Sequence, residues 1–201
     1  SAFPRLGFEE AGRDLLDPML DEAARFSATV LAPLNKAGDE HGVAYDKDTG
    51  DVTTAPGFAG AYRQFTEGGW SGLSAPAEAG GMGLPHVVGM PLEEMINSAN
   101  LAWGNFPLPS QGAANALQHH GEDWLREVFL GKLVSGEWTG TMCLTEPHCG
   151  TDLGLLKTRA EPAADGSYAI TGTKIFITAG EHDLTPNIVH LVLARLPDAP
   201  A

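Results

Sequence analysis

Cysteine is scarce in this chain. Cys143 and Cys149 are the two present, too few for a disulfide scaffold and suited to a reducing compartment. Basic residues are few as well: 12 Lys+Arg stand against 26 Asp+Glu, a formal charge of −14. That balance repels phosphate backbones and anionic lipid, which sets nucleic acid and membrane surfaces aside as partners. No apolar run approaches the ~20 residues that a membrane span needs. The opening SAFPRLGFEEAGRD lacks the basic segment and apolar run of a secretory signal, so the expected compartment is the cytoplasm. There is also no G-x-G-x-x-G after a strand, no Walker lysine and no G-x-S-x-G elbow. The Gly80-Gly81-Met82-Gly83 cluster runs into Leu84-Pro85 without a third glycine of that spacing. Rossmann-type or P-loop nucleotide binding and serine hydrolysis therefore lose their sequence support.

What remains is a chain of 201 residues, 43% hydrophobic and 19% charged, enough for one large or two small globular domains. Up to about residue 136 its periodicity is helical. Leu15, Leu16, Met19, Leu20, Ala23, Phe26, Val30 and Leu31 recur at three- and four-residue steps with acidic residues between them. Pro18 is expected in the first turn of that helix, and Pro33 at its end. Further helices are predicted over 57–68, 87–103, 113–120 and 122–133, separated by Gly- and Pro-rich turns such as SAPAEAGGMGLP.

From Trp138 the period shifts toward two. WTGTMCLT, LKTRAEP, SYAITGTKIFITAG and NIVHLVLARL are short and rich in β-branched and aromatic residues. Ala163-Ala164-Asp165-Gly166-Ser167 reads as a hairpin turn. Helices followed by strands make an α+β chain. The chain stops at LPDAPA after a strand, and so few strands with open edges do not close a sandwich or barrel. A fragment of something longer is the expectation.

Two stretches offer chemistry. MCLTEPHCGTD at 142–152 joins a predicted strand end to an irregular loop with Thr145, Gly150 and Thr151. Such a loop can present N–H groups and hydroxyls to an anionic or carbonyl-bearing ligand, or its hydroxyls can simply satisfy the turn. In TKIFITAG at 173–180, strand alternation predicts Phe176 and Thr178 on one face. That pair suits a flat heteroaromatic ligand, with ordinary core packing of Phe176 as the commoner alternative. A metal is not expected. Adjacent His119 and His120 diverge on a helix, and Glu181-His182-Asp183 lacks a second His or Cys at ligand spacing. Cys143 and Cys149 form no CxxC pair and read as buried thiols.

Taken together, these segments resemble the acyl-CoA dehydrogenase family of flavoproteins. LTEPHCGTD at 144–152 is similar to its TEP-x-x-G-[ST]-D flavin signature, and GTKIFITAG at 172–180 to its G-x-K-x-W-I-[ST]-x-G segment. Pro76-x-x-x-Gly80-Gly81-x-Gly83 and Leu130-x-Lys-Leu-x-x-Gly136-Glu137 fit upstream, in the right order. NFPLPSQGAANALQHHG and GEHDL most resemble the larger subgroup, which includes enzymes acting on methylthiopropanoyl-CoA and on fatty acyl-CoAs.

The resemblance implies a helical N-terminal domain at 1–136, then the start of a β-barrel or sandwich domain at 137–201, without the family's C-terminal four-helix bundle. It implies FAD as cofactor, an acyl-CoA substrate, an electron-transfer flavoprotein-like acceptor and a homo-oligomer when full length. Met142, Leu144 and Thr145 would contact the flavin ring, and Gly150 and Thr151 the pyrophosphate, with Thr151 also facing the acyl-CoA. Phe176 stands where the family usually has tryptophan, and Thr178 would bond near flavin N5. The family's catalytic glutamate lies in the missing region, so no residue here inherits it, Glu146 included. The fragment alone is expected to hold flavin weakly and to lack turnover. Two other readings stay open: a non-catalytic flavoprotein relative, and a flavin monooxygenase of the same fold.

Overall fold

The computed structural model describes residues 2–199. Its first helices are α1 (Arg13–Phe26) and α2 (Ala32–His41), joined by a wider π turn at Ser27–Leu31. The helix widens there because Ala32 N–H reaches back to Ser27 O, just ahead of Pro33, which has no N–H to give. The run predicted to stop at Pro33 therefore continues to His41. Pro18 lies beyond the first turn of α1, contrary to expectation, on an exposed face where water can serve the carbonyl it leaves free.

A short hairpin follows, β1 (Ala44–Tyr45) against β2 (Val52–Thr53), which the periodicity did not reveal because each strand is only two residues long. Next come α3 (Phe58–Glu67), α4 (His86–Gly104) and α5 (Pro107–His120), then α6 (Asp123–Leu125) and α7 (Gly131–Ser135). Helix α5 begins six residues before its predicted start, Ala113. Pro107 and Pro109 fall in its first turn, where no N–H is needed, so they open the helix rather than block it. Helix α4 is interrupted at Asn100, whose φ of −159° and ψ of 87° are not helical. The Asn100 side chain repairs the break: Oδ1 accepts from Trp103 N–H at 2.9 Å, as an N-cap does, and Nδ2 donates to Leu31 O at 3.3 Å.

The helical core is built on aromatic edges. Trp103 is fully buried, its ring edge-on to Phe65 (centroids 5.5 Å apart) and Phe26 (6.1 Å), and its Nε1–H donates to Phe58 O. A second cluster (Ala113, Ala114, Leu117, Leu130, Leu133, Val134) receives Val189 and Leu191 from the strand region.

The strands are β3 (Thr139–Cys143), β4 (Arg159–Pro162), β5 (Tyr168–Thr171) and β6 (Ile188–Val192). β3 pairs in parallel with β6, and β4 pairs antiparallel with β5 through the predicted turn, which Ala163 N–H closes onto Ser167 O. Just past β6, Arg195 exchanges backbone bonds with Thr158 and Ala160, linking the two pairs. β3 lies against α5 at Gly140, where a Cβ would stand 2.6 Å from that of Ala113; Gly140 N–H donates to the buried Ser110 Oγ. The helical part leading into the beginning of a sheet is the α+β arrangement expected.

One predicted strand is cut short. The 167–180 segment is extended only as far as Thr171. Gly172 then passes so close to Thr158 that a side chain there would collide with its hydroxyl, and Phe176 (φ 56°) and Ala179 (φ 55°) adopt left-handed backbone. Such residues cannot continue a pleated strand. The strand alternation that paired Phe176 with Thr178 is therefore wrong.

Candidate functional site

The loop leaving β3 folds back on itself at 146–149: Glu146 N–H donates to Cys149 O at 2.8 Å, and Cys149 N–H returns to Glu146 O at 3.1 Å. This turns the Glu146 carboxylate inward, where it is 3% exposed. Oε2 accepts from Lys157 N–H (2.7 Å), and Oε1 from Thr158 N–H (2.9 Å) and Lys174 Nζ (2.9 Å). Burial alone would raise its pKa, but the Lys174 ammonium and the two amides outweigh that and hold it well below the usual carboxylate range.

Lys174 does a second thing. Its Nζ also donates to Leu144 O at 2.9 Å, and the next residue, Ile175, donates its N–H to Thr145 O at 2.9 Å. One ammonium and one amide thus stitch the 172–180 segment along the 144–146 segment. The two stretches singled out in the sequence, 28 positions apart at Glu146 and Lys174, lie side by side.

The seven predicted cofactor residues gather on this junction or its loop. Leu144 and Thr145 are half-buried at the strand end, while Met142, Gly150 and Thr151 are exposed. Phe176 is 88% exposed, which removes core packing as its explanation in this chain, and Thr178 is exposed two residues on. None of the seven lines the small hollow of about 50 Å³ that Tyr62, Trp70, His86, Glu93 and Gln111 border among the helices. Their face is open.

Sequence reasoning missed the pair that positions them. Both Glu146 and Lys174 occupy fixed places in the two matched segments, and that shared membership was the available signal. A second latch was missed too. His182 is 4% exposed; its Nδ1 accepts from Leu184 N–H, so Nε2 carries the proton and donates to Thr139 Oγ1 at 3.0 Å. Its neighbour Asp183 accepts from Thr54 N–H (3.0 Å) and Thr54 Oγ1 (2.7 Å), and Phe106 meets the imidazole edge-on at 5.5 Å. Burial lowers the His182 pKa against the pull of Glu181 and Asp183. The GEHDL stretch therefore ties the helices to β3. Cys143 and Cys149 are buried, as read.

Residues 16–137 match the family described as acyl-CoA dehydrogenase, N-terminal domain. The chain belongs to the acyl-CoA dehydrogenase family. It is 51% identical over 181 residues to 3-methylmercaptopropionyl-CoA dehydrogenase of Ruegeria pomeroyi, covering 90% of this chain and 30% of that protein. The solved butyryl-CoA dehydrogenase of Megasphaera elsdenii superposes with a TM-score of 0.69 at 27% identity, over 83% of this chain and 41% of that one. An acyl-CoA dehydrogenase complexed with FAD from Bacillus anthracis shares the fold, at a TM-score of 0.71 and 22% identity over 94% of this chain and 30% of that one. The chain spans about 30% of the length of the curated acyl-CoA dehydrogenase it matches first. Among the described residues, no helix is long and apolar enough to cross a membrane.

Proposed function

We propose that this chain is the N-terminal part of an FAD-dependent acyl-CoA dehydrogenase, and that the 144–146 and 174–178 junction holds one edge of the flavin. The observation that carries the reading is the double tie of Lys174 Nζ to Leu144 O and Ile175 N–H to Thr145 O. It lays the segment that carries the exposed Phe176 and Thr178 along the strand end that carries Thr145. These residues fit a flat heteroaromatic group carrying an anionic tail. The Phe176 ring is exposed and has no core role to compete with ligand packing, and Gly150 lets the loop backbone approach closely.

When bound, FAD supplies the acceptor for the hydride that leaves the β-carbon as a base removes the α-proton, yielding the 2,3-enoyl-CoA. This chain's part is to bind and orient. Met142, Leu144 and Thr145 contact the ring system, Phe176 packs against it, and Thr178 hydrogen-bonds near its reacting edge. Gly150 and Thr151 face the pyrophosphate, and Thr151 also the acyl-CoA. Fixed donors at that edge stabilise the negative charge that develops there. Glu146 is not the base: Lys174 and two amides hold its buried carboxyl well below the usual carboxylate range, which makes it a poor proton acceptor. The base lies outside this chain.

The 51% identity to a 3-methylmercaptopropionyl-CoA dehydrogenase supports a substrate of the methylthiopropanoyl or fatty acyl-CoA kind. A cytoplasmic homo-oligomer that passes electrons to an electron-transfer flavoprotein-like acceptor completes the proposal. The test is the double variant Thr145→Ala, Thr178→Ala in the full-length protein. Its flavin absorbance after gel filtration should fall well below wild type; unchanged absorbance overturns the assignment.

A further inference from the structure

The turn at 146–149 gathers three unlike donors, of which the flavin reading uses Glu146 alone, and only to position its neighbours. A carboxylate oxygen of Glu146, a ring nitrogen of His148 and the Cys149 sulfur all lie within 4.8 Å of one another. The expectation of no metal weighed the histidines at 119, 120 and 182, and so passed over this group. The donors converge because the reciprocal bonds between Glu146 and Cys149 close the turn and leave His148 at its tip.

We infer that this turn binds a borderline-soft divalent cation of the Zn²⁺ type through Glu146 Oε2, His148 Nε2 and Cys149 Sγ. Bond lengths of about 2.0–2.3 Å in a tetrahedral site place ligand atoms roughly 3.3–3.7 Å apart. Glu146 Oε2 and His148 Nε2 already stand 3.6 Å apart, and the Cys149 sulfur belongs to the same group within 4.8 Å. Oε1 is held by Lys174 and Thr158 N–H, and Oε2 also accepts from Lys157 N–H, which fixes the carboxylate as outer-sphere partners fix a metal ligand. The His148 side chain is 37% exposed and gives an entry path; water completes the fourth position.

Binding has a definite proton balance. Cys149 must give up its thiol proton to solvent. His148 Nε2 must leave Leu155 O, its present partner at 3.0 Å, and keep its proton on Nδ1 instead. Glu146 is shared with the junction that positions the cofactor residues, but cobalt absorption reads this site and flavin retention reads the other, so the failure of one is distinguishable from the failure of the other.

Co²⁺ titration of the purified protein tests it, since tetrahedral cobalt absorbs in the red, clear of flavin. The expected result is red absorption that saturates, is bleached by Zn²⁺ and is accompanied by release of a proton. Cys149→Ser should weaken cobalt binding by more than the roughly tenfold that even outer-shell changes cost, and His148→Ala likewise. Cys143→Ser should leave binding unchanged. Thermal melting without metal reports whether each variant folds, and His148→Ala, at an exposed position, keeps the test valid if Cys149→Ser does not. Absence of red absorption in excess Co²⁺, or equal binding by the folded His148→Ala variant, overturns the site, as does loss of binding in Cys143→Ser.

Discussion

Trp103 and Glu146 are both almost completely buried, yet they hold their regions by opposite means. Around Trp103 the partners are rings, with one indole N–H donated to a carbonyl. Dispersion and removal of apolar area from water stabilise that region, and neither responds to protons. Around Glu146 the partners are an ammonium and two amides, and the neighbouring latch at His182 is likewise polar. A buried charge costs several kcal/mol to desolvate and is tolerated only when every lone pair is matched. The lesson is that the candidate site sits where the protein is held by directional bonds, while the helices serve as an apolar foundation.

The contrast can be broken most forcefully by removing one partner on each side. Lys174→Met should cost about 3–5 kcal/mol, because it strands a buried carboxylate. Trp103→Ala should cost a similar ~3–5 kcal/mol through lost burial and a cavity. Urea unfolding at several pH values distinguishes them. In Lys174→Met much of the loss should be recovered in acid, as Glu146 takes up a proton, whereas the Trp103→Ala deficit should stay constant. Equal pH responses would dissolve the distinction drawn here.

A smaller effect is expected at the seam between the regions. Gly140→Ala places a methyl 2.6 Å from the Ala113 Cβ and should cost about 1–3 kcal/mol by forcing α5 from β3. Stability within 0.5 kcal/mol of wild type, read from the same unfolding curves, would show the seam to be loose.

The latch sharpens the comparison through pH. The folded pKa of His182 is lowered from 6.5, so the stabilisation from its neutral form is present above 6.5 and is lost as pH falls through the lower folded value. Glu146 is lowered from 4.5, so its contribution is present above 4.5 and is lost only in stronger acid. His182→Gln should therefore cost about 0.5–1.5 kcal/mol at pH 7 and remove the decline that begins near 6.5, leaving the decline below 4.5. A wild-type unfolding midpoint flat from pH 7 to 5 would refute the role of His182.

The least effect on stability belongs to Phe176→Ala, expected within about 0.5 kcal/mol because the ring touches little. Flavin retention by the full-length protein should nevertheless drop. A large stability loss with retention unchanged would mark Phe176 as structural.

The amino-acid sequence by itself determined most of the local order. Three-residue periodicity located α3 and α4 nearly to the residue, and Asp165-Gly166 marked the β4–β5 turn, because helix faces and tight turns are written in neighbouring residues. It also displayed both segments of the candidate site as family-like motifs. Only the tertiary structure decided that 144–146 and 174–175 touch, that Phe176 leaves the strand in a left-handed conformation, and that Glu146, His148 and Cys149 converge. Each of these depends on a close approach between distant backbone stretches or on a φ that no periodicity records. That a pair of charges is buried and bonded is decided only when the chain closes around it, since by charge alone the two look like any other surface residues in the sequence.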